Sequence, residues 1–177
     1  MQYIILLRGV NVGGRTIKMA ELKSCFEKNG HQNVQTILQT GNVIIDSGEK
    51  HIARLQTRIE AELTAAYHYP AKVLVITPKQ LQHILDAFPF KELTADFHRY
   101  IVFTESGFEK NLVKDCGNLD KKMEAIKAGE GVVYWRVLKG NTLDSAFGKY
   151  MNKAAAKHFI TNRNMNTLEK ILAKCEV

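Results

Sequence analysis

The residues best equipped for chemistry follow the first apolar run, in the segment Arg8-Gly9-Val10-Asn11-Val12-Gly13-Gly14-Arg15. Gly9, Gly13 and Gly14 permit backbone conformations in which N–H groups turn outward and a ligand comes close. Arg8, Arg15 and Lys18 add formal positive charge, and a guanidinium grips a phosphate or carboxylate through two parallel hydrogen bonds. The loop leads into a helix, whose first N–H groups and dipole favour negative charge. The chemistry on offer is anion binding, with Asn11 as a further polar contact. The spacing is neither GxxxxGK[ST] nor GxGxxG, so neither of those phosphate loops is present. A plain β–α connection would use the same glycines to satisfy turn geometry.

Two further polar clusters stand apart in the chain. Gln39-Thr40-Gly41-Asn42 reads as a hairpin turn, and Gln39 and Asn42 carry amide donors and acceptors. The run Thr161-Asn162-Arg163-Asn164-Met165-Asn166-Thr167 holds Arg163 and Asn164, both able to reach a ligand or dock the tail. Within it, Asn166 and Glu169 read as the cap and capping-box partner of a last helix. No Ser or Cys lies in a nucleophile motif, and no HxH, HExxH or Cys/His metal spacing occurs. The six histidines are scattered and read as surface or core residues. Glu105/Glu109 and Asp120/Glu124 are spaced four apart and read as solvated helix faces rather than acid–base pairs. Cys25 reads as packing, and Trp135, the only tryptophan, as core. No catalytic residue, metal or cofactor is assigned.

The elements that must position these groups follow from hydrophobic periodicity. Tyr3–Leu7 predicts a buried strand. Met19, Leu22 and Phe26 predict a helix that stops at Asn29-Gly30. Val34–Leu38 and Val43–Asp46 predict a hairpin about the Gln39–Asn42 turn. Ile52, Leu55, Ile59, Leu63 and Ala66 form the stripe of a long helix, and Lys72–Ile76 a further strand. The order is β-α-β-β-α-β, the ferredoxin-like arrangement. Thr77, Pro78 and Gln80 then open another helix through a capping box. After a linker at 88–96 the order restarts: strand Arg99–Phe103, a helix opened by Ser106 and Glu109, strands Met123–Lys127 and Val132–Val137, and helices at 143–157 and 167–174. The expected class is α+β, with tandem ferredoxin-like units and antiparallel sheets. Residues 1–88 form one unit with a linking helix, and 89–177 form a second βαββα unit with a C-terminal helix.

In that order the first and third strands are antiparallel neighbours. The Arg8–Arg15 loop is therefore expected beside the Gln39–Asn42 turn, making one candidate site of two features.

The bulk numbers set the context. At 177 residues and 45% hydrophobic composition the chain can bury a core without disulfides or metals. The net charge of +7 is spread over both halves. It is densest between Arg136 and Arg163, where Asp144 is the only acid. Such a field favours anionic partners, and it also serves solubility. Cys25, Cys116 and Cys175 are odd in number and far apart, which fits a reducing, cytoplasmic setting. The apolar run at the N-terminus meets Arg8 too early for a signal-peptide core. No run reaches the ~20 apolar residues of a membrane span.

The three polar clusters also carry a resemblance. LLRGVNVGG with KMAEL, then LQTGNVI, then TNRNMNT resemble the bacterial domain-of-unknown-function 1697 family, whose members show an LRGINVGG loop, a QSGNV turn and a TRNWNT terminus. The resemblance spans the chain and implies an α+β fold with ferredoxin-like units; it implies no activity. Thr40 stands where Ser is usual and Met165 where Trp is usual, and Asn162 is extra. The Met removes a stacking platform.

Three function classes remain. The first is a binding module for an anionic ligand, nucleic acid or nucleotide-like, at residues Arg8, Gly9, Asn11, Gly13, Gly14, Arg15, Gln39, Thr40, Gly41, Asn42, Arg163, Asn164 and Asn166. RNA-recognition domains share the βαββαβ order, but the strand Val43–Asp46 lacks their aromatic residues. The second is an enzyme acting on a phosphorylated or carboxylated small molecule, with Arg8, Arg15 and Arg163 as clamps. The third is an interaction or oligomerisation module.

Overall fold

Tyr3, Ile4, Ile5, Leu6 and Leu7 are apolar at consecutive positions, so both faces of that strand seek burial. The computed structural model, which describes residues 1–10, 16–90 and 96–176, places them in an inner strand, β1 (Gln2–Leu7). The chain groups into two compact units, Met1–His83 with Glu169–Val177, and Ile84–Leu168.

In the first unit β1 is followed by α1 (Met19–Lys28), β2 (Gln32–Ile37), β3 (Asn42–Asp46), α2 (Ile52–Tyr67), β4 (Val73–Ile76) and the start of α3 (Pro78–Asp86). The sheet order is β2-β3-β1-β4, all antiparallel. Alternation along β1 sends Tyr3, Ile5 and Leu7 toward the helices. There they meet Val43 and Ile45 of β3, Leu22 and Phe26 of α1, and the stripe Leu55, Ile59 and Leu63 of α2. His68, in the left-handed conformation with φ 56°, ends α2. The capping box opening α3 forms as read: Gln80 Oε1 accepts from the Thr77 N–H at 2.8 Å, and Thr77 Oγ1 accepts from the Gln80 N–H at 3.2 Å.

The second unit repeats the topology with β5 (Phe97–Thr104), α4 (Phe108–Asp115), β6 (Glu124–Ala128), β7 (Val132–Leu138), α5 (Ala146–Ala154) and β8 (Ile160–Asn164), before α6 (Met165–Leu172). Its sheet order, β6-β7-β5-β8, has the same form as the first. Val102, Val133, Trp135 and Val137 pack against Leu112 of α4 and Phe147 and Met151 of α5. Both sheets are ferredoxin-like, as the element order implied.

Four local expectations are corrected. Thr161–Asn164, the first part of the Thr161–Thr167 polar cluster, lies in a strand that completes the second βαββαβ pattern; pairing with β5 overrides the weak strand preference of Asn. Helix α6 starts at Met165, so Asn166 is not its cap. Asn164 takes that role, its Oδ1 accepting from the Asn166 N–H at 3.0 Å. Helix α4 starts after Gly107, whose φ of 89° suits glycine, and Glu109 folds back to accept from the Gly107 N–H at 2.8 Å.

The fourth correction is Glu124, which lies in a strand and is 2% exposed. Its two oxygens accept from the Trp135 indole N–H at 3.0 Å and from the Phe147 N–H at 3.1 Å. Phe147 lies in the first turn of α5, where a carboxylate also meets the helix dipole favourably. One side chain thus ties the core tryptophan to a helix start. Glu124→Ala leaves two buried donors without an acceptor and is expected to cost about 3 kcal/mol. Urea unfolding followed by Trp135 fluorescence measures it, and a loss below about 0.5 kcal/mol would contradict this role.

Candidate anion-binding site

The site is built by the two neighbours of β1. Antiparallel pairing sets Leu6 opposite Asn42, and the Leu7 N–H then donates to the Gly41 carbonyl at 2.8 Å. On the other side the Arg8 N–H donates to the Lys72 carbonyl at 2.9 Å. The backbone is held on both edges as it enters the loop. Arg8, Gly9 and Val10, the described start of the loop, are therefore adjacent to the turn, as the strand order required. Gly9 continues with φ 68°, and Arg8, Gly9 and Val10 are half-buried. Asn11, Gly13, Gly14 and Arg15 lie outside the described residues.

The turn is shaped by two left-handed residues, Leu38 at φ 56° and Gly41 at φ 69°. Asn42 is fully buried, and its Nδ2 donates to the Ile37 carbonyl at 2.9 Å and to Thr40 Oγ1 at 2.8 Å. Its amide N–H groups close the turn. Gln39 and Thr40 are exposed. A Cβ on Gly41 would stand 2.8 Å from Val10 Cγ2 and 2.9 Å from Leu7 Cβ. Only glycine fits there, both for its φ and for the close approach of the loop.

Cations and two carboxylates border this end of the sheet. Lys18 stands at the N-cap of α1 without a side-chain cap hydrogen bond, and its Nζ lies 3.8 Å from Glu21 Oε1. Lys72 Nζ pairs with Glu60 Oε2 at 2.9 Å, while Glu60 Oε1 accepts from the Val73 N–H at 3.2 Å. Neither Lys72 nor Glu60 was anticipated, because only the β1–β4 register places Lys72 beside Arg8.

Arg163, Asn164 and Asn166 belong to the second unit. Arg163 is 8% exposed, and its Nη1 donates to Thr161 Oγ1 at 2.8 Å and to the Asn162 carbonyl at 2.9 Å. Burial lowers its pKa to about 10, which leaves it charged at neutral pH. Asn164 caps α6. Asn166 Oδ1 accepts from Arg99 Nη2 at 3.2 Å.

A second polar cluster occupies the other end of the first sheet. His31 is buried; its Nε2 lies 2.7 Å from Glu62 Oε2, and its Nδ1 lies 3.1 Å from Arg58 Nη2. The same Arg58 Nη2 lies 3.4 Å from Nε2, so the guanidinium sits against the face of the ring. Beside them is an open cavity of about 810 Å³ that also meets Asp46 and Glu49. The cluster has no local sequence signal, since only packing of α2 against the α1–β2 connection brings His31 to Arg58 and Glu62.

With the geometry in place, the comparisons add family and fold. A family model described as "Protein of unknown function (DUF1697)" matches residues 1–134. The chain belongs to this family. The DUF1697 match contains both the Arg8–Arg15 loop and the Gln39–Asn42 turn, and it stops before β8. Among solved structures, the conserved bacterial protein SP0830 from Streptococcus pneumoniae is similar with a TM-score of 0.78 and 24% identity, covering 97% of each chain. That likeness is one of fold. No curated protein matches the sequence.

Among the described residues of this DUF1697 protein, no group of three or more His, Cys, Asp or Glu is placed to hold a metal ion. No helix among them is long and apolar enough to cross a membrane. Burial raises the pKa of Cys25 and Cys116 and pushes that of Cys175 up to about 11. A raised pKa leaves less thiolate at neutral pH, so all three should alkylate with iodoacetamide more slowly than free cysteine at pH 7.5. A thiol that reacts faster would reveal an activated cysteine.

Gly41→Ala tests the joint between loop and turn. Strain at φ 69° and contact with Val10 and Leu7 together predict a loss of about 2 kcal/mol in thermal unfolding. Wild-type stability in this variant would show that the turn and the loop are not packed together.

Proposed function

We propose that this DUF1697 protein is a binding module for an anionic ligand, nucleic acid or nucleotide-like, held at the Arg8–Arg15 loop and the adjoining Gln39–Asn42 turn. One observation carries the reading: the Leu7 N–H to Gly41 carbonyl hydrogen bond, 2.8 Å, which joins a glycine-rich basic loop to an exposed polar turn. Arg8 brings charge and a bidentate fork, and the exposed Gln39 and Thr40 bring neutral donors and acceptors. Asn42 acts from beneath, by fixing the turn. The net charge of +7 favours approach of an anion to any part of the surface and adds to the encounter rate.

Binding of short DNA and RNA, followed by fluorescence anisotropy at low and high salt, tests the reading. Submicromolar affinity is expected at low salt, falling steeply as salt rises because bound counterions are released. Arg8→Ala with Arg15→Ala should weaken binding roughly tenfold or more. Micromolar or weaker binding to both nucleic acids at low salt would reject a nucleic-acid ligand. Unchanged affinity in the double variant would place the anion elsewhere.

A further inference from the structure

The second sheet turns one face to α4 and α5, and register settles what its other face carries. Val102, Val133, Trp135 and Val137 pack under the helices, so their alternating neighbours point the other way. Phe97 lies opposite Leu138, Arg99 opposite Arg136, and Ile101 opposite Tyr134. Ala125 lies opposite Arg136, Lys127 opposite Tyr134, and Arg163 opposite Ile101. In sheet order this face therefore carries Lys127, Arg136, Arg99 and Arg163, one cation from each strand. No strand position on this face carries a carboxylate.

Two of the four are held by hydrogen bonds, Arg99 to Asn166 and Arg163 to Thr161 and the Asn162 carbonyl. Like charges directly opposite one another, as Arg99 and Arg136 are, are destabilising. The central member is also held in an unusual way. The Arg136 guanidinium carbon lies 4.5 Å from the Phe97 ring centroid and 5.7 Å from that of Phe90. Its Nε is buried without a hydrogen-bond partner among the described residues. The rings fix the guanidinium, so little further freedom is lost when its fork grips an oxyanion. Phe97, Arg99, Arg136 and Phe90 are half-buried and Lys127 is exposed, so this end of the band is accessible.

We propose that this end of the second sheet is a binding surface for single-stranded nucleic acid. Lys127, Arg136 and Arg99 come from three adjacent strands; Arg99 and Arg136 lie directly opposite, roughly 5 Å apart, and Lys127 lies on the diagonal from Arg136, roughly 7–8 Å away. That spread exceeds the needs of a single phosphate and suits a phosphodiester chain. Phe97 and Phe90 add aromatic surface beside the cations, the combination used by sequence-tolerant single-strand binders. The surface is made of second-unit residues, and the inference does not rest on the Arg8–Arg15 loop.

The test is anisotropy of a short labelled oligodeoxythymidine at low salt, with circular dichroism confirming that each variant folds. Arg136→Met is expected to weaken binding roughly tenfold and to reduce the salt slope by about 1. Arg136→Lys keeps the charge and gives up the fork, so it should fall between wild type and Arg136→Met, and it replaces that variant should Arg136→Met misfold. Loss in Arg136→Met with retention in Arg8→Ala supports this surface and counts against the loop. Loss in Arg8→Ala with wild-type affinity in Arg136→Met overturns this surface and leaves the loop. Absence of oligonucleotide binding at low salt overturns it outright. A nucleoside monophosphate that competes as well as the oligonucleotide, at equal phosphate concentration, overturns the assignment to a chain.

Discussion

Most of the first unit's geometry depends on the antiparallel register of β1 against β3. Tyr3 opposite Ile45 and Ile5 opposite Val43 give two adjacent inner strands with their apolar side chains on one face, which α1 and α2 then cover. A slip of one residue would turn Tyr3, Ile5 and Leu7 away from the helices and bring Ile4 and Leu6 in their place. The same register brings the Gly41 carbonyl to the Leu7 N–H and so determines where the glycine-rich loop leaves the sheet. Core packing and loop placement are thus consequences of one pairing. The candidate site has no separate scaffold of its own.

Buried polar groups in this protein are used to join elements. Asn42 is wholly buried because its amide replaces missing backbone partners inside a turn. Glu124 accepts from an indole and a helix start, so its charge is compensated by donors rather than by a cation. Glu109 binds back across the positive-φ glycine before α4. In each case the side chain supplies the hydrogen-bond partner for a nearby polar group, a carbonyl and a hydroxyl for Asn42 and N–H groups for Glu124 and Glu109.

Legibility in the sequence followed the range of the forces involved. Periodic apolar stripes such as Leu55, Ile59 and Leu63, and the Thr77–Gln80 capping box, act over a few residues and were readable directly. Strand β8 was not, because Asn162 and Asn164 suggest a turn and only the edge of β5 makes them extended. Burial of Glu124 depends on Trp135 and Phe147, which lie in two other elements. The basic loop was visible as a motif, and its contact with the Gln39–Asn42 turn followed once the strand order was inferred. The close approach of Val10 to Gly41 had no sequence signal beyond the glycine itself.

The two units make it possible to separate what the fold requires from what a site requires. The second unit reproduces the backbone junction: the Thr104 N–H donates to the Gly131 carbonyl at 3.0 Å, as Leu7 does to Gly41, and both glycines have positive φ, 66° and 69°. The positive φ is therefore a property of the topology. The close packing is not, since a Cβ on Gly131 would meet nothing within 4 Å while one on Gly41 would meet Val10 and Leu7. The charges differ as well. Where the first unit continues from this junction into a basic loop, the second continues into Glu105, which pairs with His158 at 2.7 Å. The second unit's cations lie instead across its sheet. A repeated frame thus carries different chemistry in its two copies, and the residues that distinguish them are Arg8 and Val10 in one and Arg136 and Phe97 in the other.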